Sequence, residues 1–377
     1  MGNPGIYIHI PFCLKKCPYC DFFSQVAEAD ETSRFMRQLK KEIEDKARYY
    51  SSHIFDTVYI GGGTPNSLDS SDLLECLNAL KQAFSITSDA EITLELNPEF
   101  INSEDLNAYL RSGINRLSLG TQSFRDEELT FLGRIHNSEK NLEALRMIRS
   151  YNAFSLACDV ITGLPGQSVE DLQVSLDMLW EFFPEHLSVY ILTAEKGTPL
   201  YKWIQNGRVK PAEEENVSKL WLYAHHYLTD KGYSHYEVSN FAKPGCHSRH
   251  NSKYWDNSNY LGLGPSAHSK WERTRFWNPP DLKSYLNDTC QPVYETINDR
   301  QWLTERLMLE LRTEKGFNLN SLSILKHPEP FYNTISRLNT ESETRLLEIE
   351  GNFLKATLEG WILLDSIIEE LTEKIDC

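Results

Sequence analysis

Ile6-Tyr7-Ile8-His9-Ile10-Pro11-Phe12-Cys13-Leu14-Lys15-Lys16-Cys17-Pro18-Tyr19-Cys20 runs a β-rich segment directly into a loop holding three of the chain's eight cysteines. Three thiolates within eight loop residues can grip three corners of an iron–sulfur cubane and leave one iron without a protein ligand. A structural zinc site asks for four ligands, commonly as two close pairs, and the next cysteine, Cys76, falls in a helical pattern far along the chain. On spacing alone both readings stand. What lies outward of the loop decides what kind of fold holds it.

From residue 6 to about 200, short β-rich runs alternate with amphipathic helical runs. The strands are expected at Ile6 to Ile10, Thr57 to Gly61, Glu91 to Leu96, Arg116 to Gly120, Ser155 to Ile161 and Leu187 to Thr193. Between them, Phe35, Leu39, Ile43 and Ala47 fall on one helical face, and Leu73, Leu77, Leu80 and Phe84 on another. Ser168 stands three residues before Asp171, a capping-box pair that starts a helix just after Gly163-Leu164-Pro165-Gly166. Six repeated β-then-α units require a parallel sheet with right-handed crossovers, and their number favours a partial (β/α)6 barrel over residues 1–205. The pattern breaks near Lys202. A charged stretch then leads into a Tyr- and His-rich region, so residues 206–300 are expected as a smaller α+β region. Residues 301–377 read as a winged-helix-like module, with helices at Leu303 to Leu311 and Trp361 to Leu371 and a turn at Lys315-Gly316.

Charge and hydropathy exclude several classes. The net charge is −16 and the tail from residue 301 carries 8 Lys/Arg against 14 Asp/Glu, so nucleic acid is not an expected partner even for a winged-helix-like tail. No segment approaches the roughly 18–20 apolar residues of a spanning helix, and no basic-then-apolar order marks a signal peptide. The expectation is a cytoplasmic protein, not an integral membrane one.

The spacing Cys13-x3-Cys17-x2-Cys20 after the first strand of a βα barrel resembles the radical S-adenosylmethionine superfamily. The resemblance implies a [4Fe–4S] cluster whose open iron is chelated by S-adenosylmethionine. In a barrel, functional groups gather at the carboxyl ends of strands. There stand Gly61-Gly62-Gly63-Thr64-Pro65, Glu95, Gln122 and, within the fifth strand, Asp159. Read without the resemblance, the glycines make a turn, and Glu95 and Asp159 pair with Arg116 or Arg134. Laid on the coproporphyrinogen-oxidase-like branch, the residues implied to hold the cofactor are Tyr7, Tyr19, Gly62, Gly63, Thr64, Glu95, Gln122, Arg134 and Asp159.

Two groups share that branch. Oxygen-independent coproporphyrinogen III oxidases carry a further cysteine two positions after the third cluster ligand and a long N-terminal extension. Here that position is Phe22, and twelve residues precede Cys13. The haem chaperones of the HemW type are the closer resemblance, through Cys20-Asp21-Phe22 and His250-Asn251-Ser252-Lys253-Tyr254-Trp255. This implies haem as cargo, with His250 as the iron ligand and Cys246 and His247 as neighbours that compete for the role. It also implies a haem-acceptor protein, a membrane respiratory component, and admits a homodimer. The alternative is oxidative decarboxylation of a tetrapyrrole. A third reading makes the acidic tail a protein-docking module on an inactive barrel.

Overall fold

The structure is a computed structural model and describes residues 2–28 and 30–375. Six strands, β1 (Gly5–Ile10), β2 (Ile54–Gly62), β3 (Ser85–Leu96), β4 (Arg116–Gln122), β5 (Ser155–Thr162) and β6 (His186–Ile191), pair in sequence order, each parallel to the next. Helices between them bury apolar stripes against the sheet, as Phe35, Leu39 and Ile43 do on Glu31–Tyr50. The capping box forms as expected: Ser168 accepts from Asp171 N–H, and Asp171 accepts from Ser168 N–H, starting the helix Val169–Trp180. The barrel is partial. Beyond β6 the sheet continues antiparallel through β8 (Asn240–Ala242) and β7 (Ser234–Glu237). At the other edge β9 (Tyr260–Leu263) lies parallel to β1, followed by β10 (His268–Trp271), β11 (Thr274–Trp277) and β12 (Val293–Thr296).

Residues 206–300, expected as an α+β extension, add strands to that sheet. Their strands are only three or four residues long and cannot bury a face alone, so they extend both edges of one twelve-stranded sheet. Leu261, Leu263, Phe276 and Tyr285 sit in the same hydrophobic core as Ile6, Ile8 and Leu94. The tail differs. From Leu303 to Ile375 a second core gathers around Phe317, Phe331 and Leu354. Its antiparallel sheet has the order β13 (Phe317–Asn318), β15 (Phe353–Ala356), β14 (Leu347–Glu350). The helix expected over Trp361 to Leu371 is two, Leu358–Ile362 and Leu364–Thr372, broken at the exposed Leu363.

The two cores meet at residues 236–238, where Val238 N–H donates to Arg312 O (2.9 Å) and Glu314 N–H to Tyr236 O (3.0 Å). Glu237, between them, has no exposed surface. Burial pushes its carboxyl up to about 7, against hydrogen bonds from Ser239 N–H and the Asn240 amide. The folded chain thus keeps a proton that an unfolded carboxyl, titrating near 4.5, loses earlier. Stability is full below pH 4.5 and falls as pH rises towards 7. In Glu237→Gln the new amide can donate to Asn240 Oδ1, which has no partner among the described residues. Thermal melts should show this variant more stable than wild type by about 3 kcal/mol at pH 8 and indistinguishable at pH 4.5.

Candidate functional site

The cysteine loop leaves β1 through Phe12, whose buried ring packs edge-on against Phe35 at 5.4 Å. Its path is fixed on both sides: Cys13 N–H donates to Gln25 O (3.0 Å), and Thr64 N–H donates to Phe12 O (2.7 Å). Gly63 is what allows this closeness. A Cβ there would lie 2.4 Å from Phe12 O and 3.0 Å from Cys13 Sγ. Neighbouring Gly62 has φ +113°, a conformation that side chains other than glycine rarely adopt.

Cys13, Cys17 and Cys20 are all half-buried and face one cavity of about 440 Å³ within the strands. Tyr19, Gly62, Gly63, Thr64, Glu95, Gln122, Arg134 and Asp159 line the same cavity. Tyr7 does not. It faces an adjoining slot, with its hydroxyl 3.0 Å from His9 Nδ1. Gln122 reaches the cavity through a bulge in the β4–β5 pairing and φ +65°, a strained backbone for a residue other than glycine.

The charged groups are held differently from the ion pairs that the strand sequences suggested. Glu95 accepts from Tyr59 Oη–H (2.7 Å) and Gly62 N–H (3.0 Å), and burial pushes its carboxyl up to about 7. Asp159 is also raised by burial, with Ser188 acting in the opposite direction. Arg134 donates to Asn97 Oδ1, to Gly120 O (3.4 Å) and to Cys17 Sγ (3.7 Å), so a positive charge stands beside a thiol. Asn97 also donates to Thr64 Oγ1 (3.0 Å), and Thr64 to Cys13 Sγ (3.5 Å). One hydrogen-bonded chain thus ties Cys17 to Cys13. At the cavity floor Arg116 and His186 are almost wholly buried, with Arg116 Nε and His186 Nδ1 unpartnered among the described residues.

These residues fit a cubane with an open corner. Cys13, Cys17 and Cys20 all face the cavity, one thiolate for each of three irons, and among the described residues no fourth cysteine lines it. The Gly63 cradle and the Arg134 charge both serve thiolates. Burial pushes the Cys20 thiol up to about 11, so loading must displace its proton.

His250 is not placed to bind haem iron in this structure. It has no exposed surface, Nδ1 is 2.9 Å from Thr57 Oγ1, and Nε2 is 2.9 Å from Tyr254 Oη. Both ring nitrogens are thereby engaged, and burial lowers its pKa to about 3. His247 stacks on Tyr236 at 4.2 Å with Nε2 3.1 Å from Ser234 Oγ, and Cys246 Sγ lies 3.8 Å from Pro244 O. Neither lines the cavity or the slot.

Cavity, loop and barrel together define the class. The Radical SAM superfamily model matches residues 7–179. A solved structure, coproporphyrinogen III oxidase (HemN) from Escherichia coli, described as a radical SAM enzyme, aligns over 98% of this chain and 90% of its own with a TM-score of 0.84. At 21% identity that likeness concerns the fold. The heme chaperone HemW of Synechocystis sp. is 34% identical across 92% of this chain and 86% of its own length. The heme chaperone HemW of Bacillus subtilis is 31% identical across 82% and 83%. The chain belongs to the HemW family of the radical SAM superfamily.

Proposed function

We propose that this protein is a haem chaperone: it binds haem and passes it to an acceptor protein, and it carries a [4Fe–4S] cluster on Cys13, Cys17 and Cys20 with S-adenosylmethionine beside it. The supporting observation is kinship with proteins named heme chaperones, at 31% identity or more over at least 82% of the chain in the two relatives above. Phe22, 63% exposed, occupies the position where the decarboxylase group has a further cysteine. When bound, the cluster supplies an electron and one iron open to the methionine moiety.

The chain's own residues do the rest. Three thiolates grip the cluster, Arg134 offsets their charge next to Cys17, and the Gly62–Thr64 backbone lets the loop lie flat against β2. Glu95, Gln122 and Asp159 present acceptors and a donor to the ammonium and adenosine groups. The acceptor is read as a membrane respiratory component and the site of action as the cytoplasm. No helix among the described residues is long and apolar enough to cross a membrane.

The test is anaerobic reconstitution followed by haem titration and transfer. Wild type should hold about four iron atoms per chain, develop a Soret band that saturates with haem, and lose it to a haem-free acceptor. It should form no protoporphyrinogen from coproporphyrinogen under reducing conditions. Protein that loads its cluster yet retains no haem would overturn the proposal.

A further inference from the structure

Beside the cluster cavity lies a second recess of about 310 Å³, and the two share Asp21 and Phe22 of the cysteine loop as a common wall. Its lining is mostly aromatic: Tyr7, Phe22, Phe23, Tyr254 and Tyr260. Phe22 is 63% exposed, an unusual position for a large apolar ring with no partner. Flat aromatic walls of this kind suit a flat apolar ligand, and an iron at the centre of such a ligand needs a neutral nitrogen with a free lone pair.

Three histidines are candidates to supply that nitrogen, and two are engaged. His9 is buried, with Nδ1 on Tyr7 Oη (3.0 Å) and Nε2 on Phe23 O (2.7 Å). His250 is locked between Thr57 and Tyr254. His268 differs. It lines the recess, is exposed, and its ring lies parallel to that of its cross-strand partner Trp277 at 5.2 Å. That stacking fixes the plane of the imidazole, whose nitrogens have no hydrogen-bond partner among the described residues. Partial burial, helped by Arg275, lowers its pKa, which favours the neutral ring.

Resting on the chaperone reading above, the geometry points to this recess as the haem-docking surface, with His268 as the axial ligand and Phe22 and Tyr254 against the porphyrin face. His250 then acts as a positioning residue: its hydrogen bond to Tyr254 Oη sets the recess wall, which gives the His250-to-Trp255 motif a role in haem binding without iron contact. The wall shared with the cluster cavity puts cargo and cluster on opposite sides of one loop.

The experiment is haem titration of the full-length, anaerobically reconstituted chain, read by Soret position and by dissociation to apomyoglobin. Wild type should show an imidazole-ligated spectrum. His268→Ala should lose that spectrum and release haem at least about tenfold faster, and free imidazole should restore the ligated spectrum to His268→Gly. His250→Ala should keep the ligated spectrum while binding less tightly, and Phe22→Ala should weaken binding without changing the ligand signature. If wild type binds haem and His268→Ala matches it in spectrum and release, the His268 assignment falls and the chaperone reading stands. If His250→Ala alone removes the imidazole signature, His268 is likewise refuted. If wild type binds no haem, both fall.

Discussion

Cys17→Ser is expected to leave the barrel folded and to abolish cluster retention: after anaerobic reconstitution and desalting, iron and sulfide should fall from about four of each per chain to near zero. Cys17 is the middle cysteine of the loop, proposed above as a ligand, and the one whose sulfur faces the Arg134 guanidinium, at 3.7 Å. Serine preserves the shape but offers a hard, protonated oxygen where a soft thiolate is required. The fold does not depend on that sulfur, because the loop is held from outside by Phe12 against Phe35 and by backbone bonds to Gln25 and Thr64. Far-UV circular dichroism should match wild type while the charge-transfer absorption of the cluster is lost. A serine variant that retained full iron would remove Cys17 from the ligand set.

Gly63→Ala should be nearly as damaging by a different route. The added methyl would meet the Phe12 carbonyl oxygen at 2.4 Å, and that oxygen is already held by Thr64 N–H. Backbone cannot swing away as a side-chain tip can, so β1 and β2 must part locally, at a cost of about 1–3 kcal/mol. The same methyl stands 3.0 Å from Cys13 Sγ, so one proposed ligand is crowded as well. Both a lower melting temperature and a lower iron content are therefore expected. Gly166→Ala, with no atom within 4 Å of the new methyl, serves as comparison: its φ of +76° makes it strained, but it should load iron normally. Normal loading in Gly63→Ala would show that the close approach to Cys13 is not needed.

The six parallel strands were legible because each is six residues or longer, most hold several β-branched residues, and helices with clear apolar stripes separate them. The same signals placed Glu95, Gln122 and Asp159 towards the cavity. Strands β7 to β12 were not legible as part of that sheet. Over three or four residues a period of two cannot be told from chance, and nothing local marks Tyr260–Leu263 as the neighbour of Gly5–Ile8. The floor residues Arg116 and His186 were missed as cavity groups, although a signal existed: Arg116 and Ser118, like His186, Ser188 and Tyr190, repeat at alternate positions and line the cavity with Asp159. Asn97 was passed over because its role is a bridge between two other side chains, a relation that no spacing records. The hydrogen bonds of His250 were hidden for a similar reason. A motif can bring a histidine near aromatic rings, but only the packed structure shows both its nitrogens already taken.

The pairing of β1 with both β2 and β9 sets an order of events in biosynthesis. β1 gains this second neighbour only after Tyr260–Leu263, about 250 residues further along, has been translated. Until then that edge of β1 is bare, and the nascent chain offers the thiols of the adjoining loop beside an unpaired ladder of amides and carbonyls. Such an edge invites pairing with other chains. Chains cut short before Tyr260 should consequently aggregate through β1, and loading of the proposed cluster belongs after the late strand has docked.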